Sequence, residues 1–139
     1  MSFLDLVTRE AADLMAAHNL EPVGRTPADA LLVGPSYSLW FQSDRDGVSL
    51  TYVEVHTGEP RGFDLFSYLW RRRHDQLAFA SERPDQENEV EAAVQSLVRH
   101  LRSAGRDILS GEKAWQMDYG LPPSNLPELK ASITSGKSM

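Results

Sequence analysis

The sequence predicts an α+β fold, a small antiparallel sheet packed against an N-terminal helix and a long C-terminal helix. Three observations point to it. Apolar residues recur at helical spacing near the start, short apolar runs bounded by turn residues fill positions 20–57, and a second, longer helical stripe occupies 85–104. That order departs from the regular strand–helix alternation of a βαβ series and fits segregated α+β elements. The 139 residues, 41% apolar and 24% charged, have ordinary globular composition. A single domain of this size buries roughly two-thirds of the surface its unfolded chain exposes.

The first helix is expected over residues 3–18. Ser2 can cap it and Asp5 suits its positive end, while Leu4, Val7, Ala11, Leu14 and Met15 make one apolar stripe. Asn19 is a stop, and Pro22 forbids simple continuation. Leu31-Leu32-Val33 reads as a strand ended by Gly34-Pro35. Tyr37, Leu39 and Phe41 alternate with Ser38, Trp40 and Gln42, the period of a second strand. The run Ser43-Asp44-Arg45-Asp46-Gly47 supplies turn residues, and a β-branched strand returns from Val48 to complete a hairpin.

Gly58-Glu59-Pro60-Arg61-Gly62 reads as a second turn. After it Phe63, Phe66 and Trp70 fall on one helical face, which predicts a short helix. Leu77-Ala78-Phe79-Ala80 reads as a further short strand or an extended connection. The long helix, 85–104, carries Val90, Ala93, Val94, Leu97, Val98 and Leu101 as its buried stripe, with acids at its start, arginines near its end and Gly105 as its C-cap. Residues 1–120 form the predicted domain. Residues 121–139, rich in Pro, Ser, Gly and Lys, read as a partly flexible extension from which Leu126, Leu129 and Ile133 can lie back on the domain while 135–139 fray.

Several chemistries lack their residues. With no cysteine, disulfides, thiolate nucleophiles and Cys-containing zinc sites are excluded. His18, His56, His74 and His100 stand at no short metal-ligand spacing, and neither a metal nor a cofactor is expected. No G-x-S-x-G or G-x-G-x-x-G occurs, and Ser135-Gly136-Lys137-Ser138 lacks the leading glycine of a phosphate loop. The start shows neither a basic region nor a long apolar run, so no signal peptide is expected; no stretch nears the ~18 apolar residues of a membrane span, and the expected location is the cytoplasm. Arg71-Arg72-Arg73 beside Trp70 could grip a phosphate backbone, but a helix end also favours arginine, and a net charge of −6 disfavours nucleic acid.

What remains points to a protein partner. Acids concentrate at the start of the long helix, Glu82, Asp85, Glu87, Glu89 and Glu91, and in the hairpin turn, Asp44 and Asp46. Such a field steers a basic partner, although acids at a helix start also stabilise the helix alone. Trp40 faces away from Leu39 and Phe41, and lies either under a helix or at an interface. Glu54 and His56 share one strand face, an exposed one unless it forms a groove where the pair could act as acid and base. The candidate partner-binding set is Trp40, Asp44, Asp46, Glu54, Asp85, Glu87 and Glu91; no catalytic residue is assigned.

The opening helix, the hairpin, the segment Gly62-Phe63-Asp64-Leu65-Phe66-Ser67-Tyr68-Leu69 and the long helix ending in Gly105-Arg106-Asp107-Ile108-Leu109-Ser110-Gly111-Glu112 resemble, in layout, bacterial immunity proteins of polymorphic toxin systems. The resemblance spans roughly residues 1–115. It implies a cytoplasmic protein that neutralises a cognate toxin by covering its active surface, with a basic toxin domain such as a nuclease as partner and no catalytic residues of its own. Two alternatives stand beside it, a secretion chaperone or adaptor that holds another protein, and a small enzyme built around Glu54 and His56.

Overall fold

Six strands succeed one another in a single antiparallel meander: β1 (Glu21–Val23), β2 (Asp29–Val33), β3 (Ser38–Asp44), β4 (Gly47–His56), β5 (Glu59–Asp64) and β6 (Ser124–Asn125). In this computed structural model the described residues are 2–45, 47–56, 58–77 and 89–137. The helices are α1 (Phe3–Glu10), α2 (Ala12–His18), α3 (Leu65–Arg72), α4 (Glu89–Ala104), α5 (Arg106–Leu109), α6 (Trp115–Tyr119) and α7 (Lys130–Lys137). The α+β class, the antiparallel sheet and the long helix expected from the sequence are all present.

The register follows from the period-2 alternation. Leu32 pairs with Leu39, Leu39 with Tyr52, and Tyr52 with Phe63, so one row of apolar side chains crosses four strands on one face. Together with Ala30, Phe41 and Leu50 these residues pack beneath α1, α3, α4, α5 and α6 in one large core. Each fully buried side chain of this size contributes roughly 1.5–3 kcal/mol. Leu31, Val33, Trp40 and Val53 point the other way, and there meet Leu129 and Ile133. The segment after residue 121 thus supplies a sixth strand and a helix that covers the second face. Its helix runs to Lys137, past the point where fraying is expected.

Several elements differ from expectation for identifiable reasons. The first helix breaks at Ala11, one turn after the Thr8 hydroxyl donates to the Leu4 carbonyl at 2.7 Å, a contact that bends helices. Its ends are as read: Ser2 Oγ accepts from the Asp5 N–H, and Asn19 closes α2 in the left-handed conformation at φ 57°. Residues 59–62 are strand, not turn. Gly62 is required there because a Cβ would stand 2.5 Å from Leu126 Cδ1 and 2.8 Å from Thr51 Cγ2. Asp64 caps α3 by accepting from the Ser67 N–H, which sets Leu65, Tyr68 and Leu69 inward and turns Phe66 and Trp70 outward. Gly105 is no left-handed cap, since its φ is −117° and α5 follows at once. In α4 the buried stripe begins at Val94, and Val90 is exposed. Residues 78–88, where a strand or connection and the first turn of the long helix are expected, lie outside the described residues.

The helical layer is joined by charged pairs at its outer rim. Arg9 meets Glu91 at 2.7 Å, Gln95 reaches Glu10, and Arg102 meets Asp13, so α1 and α2 run in the same direction as α4. Such exposed pairs stabilise little individually. Their effect is to fix which side chains remain available on the surface.

Candidate functional site

The β3–β4 turn and the start of α4 approach each other at one end of the sheet. Asp44, Arg45, Gly47, Val48, Glu89, Val90 and Ala93 line a shallow cleft of about 160 Å³ there. Asp44 and Glu89 are exposed, as is Val90 at 39%, so the cleft joins two carboxylates to an apolar patch. One described acid from each of the two acidic stretches, Asp44 and Glu89, thus lines the same cleft. Asp46, Asp85 and Glu87 lie outside the described residues. Glu91 is half-buried and accepts hydrogen bonds from Arg9 and Gln95, which commits it within the chain.

Two members of the candidate set are interior residues. Trp40 is 7% exposed under α7, and its indole N–H donates to Asp29 Oδ2 at 3.0 Å. Asp29 also accepts from the Thr26 and Arg25 N–H groups and pairs with the Arg25 guanidinium at 3.0 Å. Burial pushes its carboxyl upward, but the Trp40 and backbone hydrogen bonds, with Arg25, hold it below its ordinary range. Trp40 is a structural anchor of the second sheet face and is withdrawn from the interface set.

Glu54 is the second correction. The face that it shares with Leu50 and Tyr52 is not open, because α6 and the preceding turn lie over it, and Glu54 is 4% exposed. Its Oε1 accepts from Arg61 at 2.9 Å, and its Oε2 accepts from Gln116 at 3.0 Å with Lys113 Nζ at 3.4 Å. Burial pushes the Glu54 carboxyl upward, but Gln116, Arg61 and Lys113 together hold it low. A carboxylate so engaged is a poor general base. The Tyr52 hydroxyl and the Trp115 indole N–H are buried beside it without a hydrogen-bond partner among the described residues, and burial drives the Tyr52 phenol strongly upward. Glu54 thus belongs to the internal framework rather than to a surface.

The other titratable candidates are placed as follows. His100 is 3% exposed, its Nε2 lies 3.2 Å from Ser96 Oγ, and burial, then Arg99 and His74, lower its pKa. The C-terminal half of α4 would favour an imidazolium, but this burial disfavours it. His74 stands edge-on to Trp70, which stacks on Phe66. The arginine run is divided: Arg71 lies over the Tyr119 ring, while Arg73 reaches inward to the Ala104 carbonyl and, with two hydrogen bonds, to Asp107. Arg73 so closes the C-terminus of α4 and does not join a cationic patch. Sequence spacing gave no sign of this pair, since its partners are 34 positions apart.

The arrangement defines an α+β domain with side chains packed on both faces of its sheet and, at one end, a cleft lined by Asp44, Glu89 and Arg45. Among the described residues no group of three or more metal-ligating side chains converges, and no helix is long and apolar enough to cross a membrane. Comparison with known protein families, with curated proteins and with solved structures finds no match to this chain.

Proposed function

We propose that this chain acts by binding another protein, and that it is an immunity protein which neutralises a basic toxin domain, such as a nuclease, in the bacterial cytoplasm. The observation that carries this reading is that Asp44 and Glu89, from separate elements, line one cleft beside the exposed Val90. A nuclease must present positive charge to hold phosphate, and an acidic surface can occupy that charge. The net charge of −6 adds long-range steering to the local contact.

Two experiments test the reading. Co-purification with the product of the adjacent upstream gene should yield a stable complex with a toxin-like protein; no toxin-like neighbour and no complex would overturn the immunity role. Asp44→Lys with Glu89→Lys should slow association by about tenfold at low salt and flatten its salt dependence, with the fold retained and the thermal midpoint of the free protein lowered only modestly as α4 loses a first-turn acid. Unaltered association kinetics would remove this surface from the interface.

A further inference from the structure

At the opposite end of the α4 helix, a second cleft carries the reverse charge. Leu14 and His18 of α2, Arg102 of α4, and Arg106, Leu109 and Ser110 at α5 line a volume of about 410 Å³. That size lies within the range of small-ligand sites. Leu14 and Leu109 are buried and give it an apolar floor. The Leu109 carbonyl is fixed by the Tyr37 hydroxyl, which donates to it at 2.8 Å.

The polar lining is cationic in a chain of net charge −6. Arg102 is positioned by Asp13, at 2.5 Å, and by the Glu10 carbonyl at 3.4 Å. The exposed Arg106 guanidinium and the His18 imidazole form no ion pair or side-chain hydrogen bond among the described residues. A preference of cations for helix C-termini accounts for His18 and Arg102. Arg106 stands just beyond the end of α4 and opens the four-residue α5, so the two helix dipoles act on it in opposite senses. Two guanidinium forks and an imidazole thus face one space against a single carboxylate.

We propose that this cleft binds a phosphate monoester, its phosphoryl group between Arg102 and Arg106 with His18 alongside, and its organic part on Leu14 and Leu109. Arginine forks match phosphoryl oxygens two at a time, and with Arg102 already paired to Asp13 the Arg106 fork supplies the cleft's uncompensated positive charge. The volume exceeds what an inorganic ion needs, and the leucine floor suits a less polar moiety.

Titration of the full chain at constant ionic strength tests the assignment, with adenosine 5′-monophosphate, ribose 5-phosphate and inorganic phosphate set against adenosine and ribose. Both esters should bind at least about tenfold more tightly than their uncharged parents and more tightly than inorganic phosphate, and should shift the His18 imidazole resonances. Arg106→Gln should weaken ester binding by about tenfold and leave the ligand-free thermal midpoint unchanged, since among the described residues the Arg106 guanidinium has no partner to lose. Arg106→Lys should restore only part, keeping charge without the fork. Esters that bind no better than adenosine and ribose, equal binding of inorganic phosphate, or an unaffected Arg106→Gln variant would each overturn it.

Discussion

Burial pushes the Glu54 and Asp29 carboxyls upward, and the donors around each hold them below their ordinary range. For Glu54 the folded-state value lies below the unfolded 4.5, so its stabilisation is complete above that pH and is lost as pH falls through the lower folded value. Glu54→Gln leaves Arg61 and Lys113 without their anion, and should cost about 2 kcal/mol at pH 7. Urea unfolding at pH 7 and pH 3 checks this: the gap between wild type and variant should close in acid. Alternation along β4 placed Glu54 on the Leu50 and Tyr52 face, which was legible in the sequence. What lies over that face was not, because Gln116 is 62 positions away. The same limit applies to Trp40, whose orientation could be read and whose partner Asp29 could not.

At the scale of elements, the helices and strands with long periodic patterns were readable, and the short ones depended on a single residue. Asp64 decides where α3 begins, and a helix starting at Leu65 buries 65, 68 and 69 in place of the aromatic pair Phe66 and Trp70. Both sets have helical spacing, so the cap, not the periodicity, selects between them. Residues 59–62 look like a turn by composition, yet they form a strand because β4 extends to His56 and offers partners through Glu59. Gly62 serves this strand by admitting Leu126, whose N–H donates to the Pro60 carbonyl at 3.0 Å. Gly62→Ala should cost about 1–3 kcal/mol through overpacking and should speed hydrogen exchange at the Leu126 amide. An unchanged denaturation midpoint would show that Leu126 moves aside at no cost.

Across the whole molecule, the sheet is sandwiched unequally, with a broad helical layer on one face and little more than Leu126, Leu129 and Ile133 on the other. Leu126, Leu129 and Ile133 were legible as residues that lie back on the domain, but Leu129 and Ile133, four positions apart, are too few to mark an amphipathic stripe, so the helix that carries Ile133 was not. Leu129→Ala should nonetheless cost roughly 3 kcal/mol, since the side chain is fully buried against Trp40 and Val53. Faster exchange of the Trp40 indole N–H, measured together with the urea midpoint, would locate the loss on that face. The meander also ends in two very short margins, β1 with three residues including Pro22 and β6 with two. A margin so brief, interrupted on one side by a residue without an N–H, gives a stray extended chain almost no ladder to join. Crowded copies of this protein are thereby discouraged from zipping edge to edge into fibres.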